Sequence, residues 1–190
     1  MPGHSWQCAA AVRIADDGLL VGARCLRSPN CDERPAGSAI ELIVIHSISL
    51  PPGEFGGPGI IDLFCNRLDS AAHPYYAAVA DLRVSAHFLI RRDGELIQFV
   101  SCTKRAWHAG VSNWCGRGRC NDFSIGIELE GADDMPFEDL QYEKLVVVTR
   151  LLKACYPIAD IVGHSDIAPG RKTDPGPHFD WARYRASAML

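Results

Sequence analysis

The sequence predicts a single domain of the α+β class. Three patterns support this prediction: an apolar, β-branched run at residues 39–46, two apolar runs at residues 84–90 and 95–100 joined by a turn, and a helical periodicity over residues 137–155. The chain has 190 residues, of which 47% are apolar and 22% are charged. It can therefore build one hydrophobic core and needs no second one.

The first predicted strand covers residues 39–46. Its aliphatic, mostly β-branched side chains favour a buried strand, and we expect it to present the imidazole of His46 at the edge of the sheet. The Pro- and Gly-rich stretch Leu50–Gly59 should connect this strand to a helical segment around residues 60–68 and form one wall of a cleft.

Three more strands are predicted in the middle of the chain. Residues 84–90 and 95–100 flank the sequence Arg-Arg-Asp-Gly, and an Asp-Gly pair between apolar runs predicts a β-hairpin. The segment Ser124–Glu130 alternates polar and aliphatic residues. As a strand it places Glu128 and Glu130 on the same face, away from the aliphatic side chains.

The last third of the chain predicts two helices. Apolar residues recur at three- and four-residue intervals over residues 137–155, which indicates an amphipathic helix that stops before Pro157. A short apolar run at residues 158–162 follows, and residues 180–189 predict a short terminal helix.

The stretch Gly163–Pro177 reads GHSDIAPGRKTDPGP, and its glycines and prolines predict a loop. Ordering a loop so rich in charged and metal-competent side chains costs conformational entropy, which a metal ion or a catalytic site would offset. Asp166 has a simpler interpretation as a turn cap. Turn formation does not account for Lys172 and Asp174, which follow His164 in the same loop.

His46, His164 and Asp174 form a candidate metal site. Two imidazoles and one carboxylate are the ligand count of a catalytic zinc site, which leaves one position for water, whereas structural zinc sites usually have four protein ligands. The helical zinc motif HExxH is absent from the sequence. Taken alone, His46 is more often a hydrogen-bonded structural residue, and it is the composition of the loop around His164 that favours the ligand interpretation.

A resemblance to a known family rests on five segments that follow one another in order: IVIHSIS, LRVSAHFLIRRDGELIQFV, RAWHAG, RCNDFSIGIELEG and GHSDIAPGRKTDPGPHFDW. The chain closely resembles the AmpD-type enzymes of the zinc-dependent N-acetylmuramoyl-L-alanine amidase family, which includes phage-type amidases and peptidoglycan recognition proteins. The resemblance covers about residues 20–186. It implies one amidase domain over residues 1–190, with a central mixed β-sheet flanked by helices, and hydrolysis of the amide between a muramic-acid lactyl group and L-alanine.

The resemblance also implies roles for individual residues. It makes His46, His164 and Asp174 the ligands of one catalytic Zn²⁺, and it makes Glu128 and Lys172 catalytic. The chemistry agrees, since a carboxylate can shuttle the proton of a zinc-activated water and an ammonium can stabilise the developing oxyanion. Glu130 lies on the same strand face as Glu128, and spacing alone does not distinguish the two. The interpretation as a solvated surface carboxylate fits Glu130 better. An exposed loop lysine is the other interpretation of Lys172.

Five residues are candidates for substrate binding. Trp107 and His108 would offer an aromatic face and a donor, and the resemblance implies that Arg83 and Arg119 bind carboxylates of the stem peptide. Ser47 stands where many relatives carry asparagine, so its reach toward a substrate is shorter. Trp107 could instead be a loop aromatic that packs on the core. Arg83 and Arg119 could instead form ordinary surface ion pairs.

Charge and the N-terminal sequence suggest where the protein acts. The net charge of -4 argues against a nucleic acid or an anionic membrane as the main partner. Residues 1–20 have neither a long apolar segment nor a cleavage pattern, so we expect a cytoplasmic protein. We also expect a monomer whose partner is a small soluble muropeptide.

The eight cysteines are expected to be free thiols, because their spacing is irregular and no CxxC occurs. Cys115 and Cys120 bracket a short loop and leave room for a disulfide or a second metal site. Cys65, Cys102 and Cys155 lie in apolar sequence and are expected in the core.

Three functions agree with these residues. The first is a zinc amidase that hydrolyses 1,6-anhydromuramoyl peptides in peptidoglycan recycling, with an indirect effect on β-lactamase induction. The second is a non-catalytic muropeptide-binding module, which the complete set of ligand and catalytic residues disfavours. The third is an amidase of polymeric cell wall, which shares the chemistry and differs in access to its substrate.

Overall fold

The computed structural model describes residues 12–188. Its strands are β1 Arg24–Cys25, β2 Cys31–Glu33, β3 Leu42–Ile48, β4 Phe88–Ile90, β5 Leu96–Gln98, β6 Lys104–Ala106, β7 Asn113–Trp114, β8 Arg117–Gly118, β9 Ser124–Glu130 and β10 Asp160–Gly163. Within the described range, six of them form a central sheet in the order β1, β5, β4, β9, β3, β10. The β4–β5 pair is antiparallel and the other pairs are parallel, so the sheet is mixed.

Helices cover both faces of the sheet. They are α1 Gly59–Phe64, α2 Tyr76–Val79, α3 Asp139–Cys155, α4 His164–Ile167 and α5 Trp181–Ala188, with a short 3₁₀ helix at Cys120–Asp122. None of the helices within residues 12–188 combines the length and the apolar character needed to span a lipid bilayer. The predicted α+β domain with a central mixed sheet flanked by helices is confirmed.

Alternation along β3 and β9 assigns their side chains to two different cores. Ile43 and Ile45 point to the face covered by α3 and α5, where they pack with Ile127 and Tyr184. Leu42 and Val44 point to the opposite face, beside α4. Because the even-numbered face is covered as well, the whole of β9 is buried, and Glu128 is only 8% exposed.

The first predicted strand is displaced by a few residues. β3 begins at Leu42 and continues two residues beyond His46, so this histidine lies inside an interior strand of the sheet. Ser47 and Ile48 extend the strand because β9 pairs with them. The predicted strand at Ser124–Glu130 is confirmed with its limits.

The predicted hairpin is confirmed, with shorter strands than expected. Leu89 of β4 pairs with Ile97 of β5, and the turn closes through a hydrogen bond from Gly94 N–H to the carbonyl of Arg91 at 2.9 Å. Gly94 has a φ of 82°, a left-handed conformation that glycine adopts without strain.

The predicted helices are present with small changes in length. α3 begins at Asp139, because Glu138 is extended and its N–H donates to Gln141 Oε1 at 3.0 Å. α1 ends at Phe64 rather than residue 68, and Asn66 follows with a φ of 55°. α5 covers Trp181–Ala188, and Met189 of the predicted terminal helix lies outside the described residues.

The prediction of a loop for Gly163–Pro177 is wrong at its start. Gly163 is the last residue of β10, and His164–Ile167 form the single helical turn α4. The predicted capping role of Asp166 is confirmed, since its Oδ2 accepts the N–H of Gly163 at 2.7 Å. Residues 168–177 form turns, as expected.

The seven cysteines within residues 12–188 are all free, as predicted; Cys8 lies outside that range. Their burial differs from expectation. Cys102 is a core residue, but Cys65 is only half-buried and Cys155 is exposed at the end of α3. Cys120 is buried and Cys115 is exposed, and neither forms a disulfide.

Candidate metal centre and active site

The structure brings His46, His164 and Asp174 together. His46 Nδ1 lies 3.0 Å from His164 Nδ1 and 3.1 Å from Asp174 Oδ2, and His164 Nδ1 lies 3.0 Å from the same oxygen. The three residues come from different elements: an interior strand, the first position of α4 and the turns that follow α4. The predicted ligand set therefore forms a nearly equilateral triangle of one oxygen and two nitrogens.

The charge states of these residues fit a divalent cation. Burial lowers the pKa of His46 to about 4, so its imidazole is neutral at neutral pH and has a free lone pair. Burial alone would raise the pKa of Asp174, but hydrogen bonds with His164 and His46 outweigh it and hold the pKa below the usual range of a carboxyl. Three acceptor atoms this close together repel one another unless protons or a cation lie between them. Nitrogen and carboxylate ligands suit zinc.

The second ring nitrogen of each histidine in the triangle has a partner of its own. His46 Nε2 lies 2.9 Å from His108 Nδ1, and His164 Nε2 lies 3.2 Å from the carbonyl oxygen of Ala109. The other nitrogen of His108 lies 3.1 Å from Ser124 Oγ. His108 is buried, and each of its ring nitrogens lies within hydrogen-bond distance of another side chain.

Glu128 lies on the strand next to His46. The two residues are register partners on β9 and β3 and share one face of the sheet. Burial, and then the negative charge of Asp174, raise the pKa of Glu128 well above its ordinary value. Its Oε2 is buried and has no hydrogen-bond partner among residues 12–188. A carboxylate in this state is typical of an acid or base in catalysis.

Glu130 differs from the sequence interpretation. A solvated surface carboxylate was expected, but Glu130 is only 2% exposed and forms an ion pair with Arg91 at 3.0 Å. Its Oε1 also accepts the N–H of Gly56 at 2.8 Å. Glu130 therefore fixes the loop after β3 to the sheet, and the two carboxylates on one strand face have different surroundings.

A cleft opens beside the three metal-ligand candidates. The side chains that line it include Ser47, Glu128 and Lys172, together with Leu50 from the Pro- and Gly-rich stretch that was expected to form a wall. Lys172 is exposed on the turns that lead to Asp174. The structure therefore places both predicted catalytic residues at the same opening.

Three of the predicted substrate-binding residues lie outside this lining, as judged over residues 12–188. The indole nitrogen of Trp107 donates to Asp32 Oδ1 at 3.2 Å. Arg83 is exposed and donates to the carbonyl oxygen of Ala80 at 3.3 Å. Arg119 is 76% exposed, and its Nε lies 3.4 Å from Asp122.

Sequence reasoning missed Ser124 and Asn121 as supports of the site. Asn121 Oδ1 accepts the backbone N–H groups of His108 and Ala109 at 3.2 and 2.8 Å. The only signal for Ser124 was the alternation of β9, which placed it on the face of Glu128. Asn121 lies in the segment RCNDFSIGIELEG, but nothing in that segment assigned it a role.

Comparison with known proteins assigns the family. A family model described as N-acetylmuramoyl-L-alanine amidase matches residues 36–177. The 1,6-anhydro-N-acetylmuramyl-L-alanine amidase AmpD of Escherichia coli (strain K12) is 60% identical over 174 residues, which cover 90% of this chain and 95% of the relative.

Solved structures agree with this assignment. The crystal structure of a selenomethionine AmpD derivative has a TM-score of 0.88 and 60% identity, and the match covers 90% of this chain and 97% of the other. The amidase AmiD of E. coli, in complex with the substrate anhydro-N-acetylmuramic acid-L-Ala-D-gamma-Glu-L-Lys, has a TM-score of 0.59 and 31% identity over 82% of this chain and 60% of its own. The chain belongs to the N-acetylmuramoyl-L-alanine amidase family.

Proposed function

We propose that the protein hydrolyses the amide bond between 1,6-anhydro-N-acetylmuramic acid and the L-alanine of muropeptides, as a step of peptidoglycan recycling. The observation that carries this proposal is the 60% identity, over 95% of its length, to an E. coli amidase named for the anhydro substrate. The complex of AmiD with an anhydromuramyl peptide gives further support, because that relative binds the same class of molecule.

We propose that His46, His164 and Asp174 hold a zinc ion. Their convergent nitrogen and oxygen atoms, and the neutral state of His46, support this assignment. A bound Zn²⁺ would act as a Lewis acid on the amide carbonyl and lower the pKa of a water ligand to about 7.

Glu128 is proposed to transfer a proton from the attacking water to the leaving group. Its unpartnered Oε2 is free to accept a proton from the attacking water and to deliver it to the nitrogen of the leaving L-alanine. Burial raises the pKa of Glu128 well above its ordinary value, which makes its carboxylate a stronger base than an exposed one. Lys172 lines the same cleft, and its ammonium is proposed to stabilise negative charge on the carbonyl oxygen.

The peptide and sugar contacts remain predictions. We propose that Arg83 and Arg119 bind carboxylates of the stem peptide, which suits the planar guanidinium group and their exposure. Trp107 would contribute an aromatic face, and Ser47 a hydroxyl at the cleft wall. We also propose a cytoplasmic monomer that acts on soluble muropeptides and thereby influences β-lactamase induction.

The test is hydrolysis of purified anhydromuramoyl-tripeptide, with intact peptidoglycan sacculi assayed in parallel. We expect release of the free tripeptide, loss of release on chelation, recovery when zinc is added, and untouched sacculi. Release from sacculi at a comparable rate would favour an amidase of polymeric cell wall. Tight binding without cleavage would favour a recognition module.

A further inference from the structure

Two consecutive residues, His108 and Ala109, face the outer nitrogens of both histidine ligands. His46 Nε2 meets the ring of His108 at 2.9 Å, and His164 Nε2 meets the carbonyl of Ala109 at 3.2 Å. These residues belong to the loop that the sequence suggested for substrate binding. In the structure, two residues of this loop form hydrogen bonds with the two histidines of the triangle.

The hydrogen bonds define one consistent set of proton positions. The Nδ1 atoms of His46 and His164 point at each other and at Asp174 Oδ2, so a cation there requires their lone pairs. Each Nε2 must then carry the proton and act as a donor. His108 must accept from His46 through an unprotonated Nδ1, and it therefore carries its own proton on Nε2.

The chain of donors ends at a backbone carbonyl. His108 Nε2–H donates to Ser124 Oγ at 3.1 Å, and the hydroxyl of Ser124 donates to the carbonyl oxygen of Cys120 at 2.6 Å. Every donor in this chain of hydrogen bonds has an acceptor, and all of the bonds run in the same direction, from His46 to the carbonyl of Cys120. Reversing the tautomer of His108 would place two N–H groups against each other at the His46 contact.

The ring of His108 is held in place from several sides. Its backbone N–H and that of Ala109 both donate to Asn121 Oδ1. Gly126 lies directly under the ring, and a Cβ added there would come within 2.6 Å of His108 Nδ1. The position of His108 against His46 is therefore set by β9 and by the loop together, which is the arrangement expected of a preorganised support.

We propose that His108 is a positioning residue for the metal site: it accepts the Nε2–H of His46 and thereby fixes the tautomer and the orientation with which His46 Nδ1 meets a metal ion. The proposal rests on the metal site assigned under the proposed function. Partners of this kind raise the basicity of a histidine ligand, and their loss typically costs about 10- to 100-fold in metal affinity.

A matched pair of variants separates this role from space filling. His108→Asn keeps an acceptor oxygen close to the place of Nδ1, whereas His108→Leu has nearly the same branched shape and no acceptor. The probe is zinc alone, titrated against a chromophoric chelator, so the measurement does not depend on turnover. We expect His108→Leu to weaken zinc binding about 10- to 100-fold, and His108→Asn to bind several-fold more tightly than His108→Leu.

The same two substitutions at another buried histidine, His87→Asn and His87→Leu, provide the control. His87 is also buried, and its Nδ1 accepts the N–H of Gly126 at 3.0 Å without a hydrogen bond to a ligand. We expect no difference in zinc affinity between these two variants. Circular dichroism of all four variants without metal verifies that they fold. Equal zinc affinities for His108→Asn and His108→Leu, whether both high or both low, would overturn the proposal.

A second measurement uses the unmodified, zinc-loaded protein. Long-range proton–nitrogen NMR spectra distinguish the two neutral tautomers of histidine. We expect His108 with a protonated Nε2 and a bare Nδ1, and Ser124→Ala to perturb the Nε2 resonance. A His108 protonated on Nδ1 would contradict the proposal even if the zinc affinities followed the expected order.

Discussion

His46 and Glu128 are register partners on the adjacent parallel strands β3 and β9, and their side chains lie on the same face of the sheet. The candidate ligand and the candidate proton carrier are therefore separated by one strand spacing, which β-sheet geometry fixes at about 4.8 Å. Side chains on interior strands are held more precisely than those on loops. The sheet thus sets the geometry between the metal site and the carboxylate.

Removing one ligand should remove both metal and activity. His164→Ala takes away one of three converging ligand atoms, and we expect the purified variant to lose bound zinc and hydrolysis of anhydromuramoyl-tripeptide together. Elemental analysis and a product assay measure the two effects. His178→Ala is the matched control, because this exposed histidine lies on the same segment outside the triangle. Zinc retained by His164→Ala would refute the ligand assignment.

Glu128→Gln should separate metal binding from catalysis. The amide keeps the size of the side chain but cannot accept and deliver a proton, so we expect zinc content to persist while kcat falls about 100-fold or more. Steady-state kinetics with the tripeptide substrate, together with zinc analysis, test this. A variant with nearly normal kcat would exclude Glu128 as the proton carrier.

Sequence patterns identified the local elements of this site but not their pairing. The alternation in Ser124–Glu130 predicted β9 within its limits, and the Asp-Gly turn predicted the hairpin. The register that sets His46 beside Glu128 is a contact between segments about 80 residues apart, and nothing within either segment encodes it.

The same reason explains why the burial of Glu130 and the contact of His108 with His46 were not predicted. Glu130 is buried because Arg91, from the hairpin, reaches it. His108 reaches His46 because Gly126 leaves space for its ring. Both outcomes depend on partners that are distant in sequence. The composition of the loop, in contrast, pointed to His164 and Asp174, which the structure places beside His46.

The ion pair between Arg91 and Glu130 should contribute to stability rather than to chemistry. Glu130→Gln removes the shorter and more buried of the two ion pairs of Arg91, which is 7% exposed, and leaves only the 3.4 Å pair with Glu95. We expect a loss of about 2 kcal/mol in the free energy of unfolding, the cost of one hydrogen bond to a buried charged group. Urea denaturation measures this loss. Glu33→Gln removes the partner of an exposed ion pair with Lys104 and should change stability very little. Equal effects of the two substitutions would contradict the structural role of Glu130.

Arg119 should affect substrate affinity more than turnover. It is exposed, and we expect Arg119→Ala to raise KM about tenfold, through loss of a charged hydrogen bond to a stem-peptide carboxylate, with kcat little changed. Arg117→Ala is the control, because Arg117 lies two residues away and pairs with Glu41. An unchanged KM in Arg119→Ala, or an equal rise in Arg117→Ala, would remove Arg119 from the substrate contacts.

The buried carboxyl of Glu128 should make the metal-free protein less stable as the pH rises. Its folded-state pKa lies above the unfolded value of about 4.3, so the folded protein binds this proton more tightly. That contribution is complete below the unfolded pKa and is lost as the pH rises through the folded pKa. Above it, the buried charge destabilises the fold.

Glu128→Gln removes the free-energy cost of burying the Glu128 carboxylate. We therefore expect the chelator-treated variant to be more stable than the unmodified protein at pH 7, with a difference that shrinks toward pH 4.5. Free energies of unfolding from urea titrations at several pH values measure the difference. Glu143→Gln, on the exposed side of α3, controls for the loss of one negative charge. A variant that is less stable at pH 7 would mean that the carboxylate of Glu128 is stabilised in the fold. The unpaired Oε2 would then not explain its reactivity.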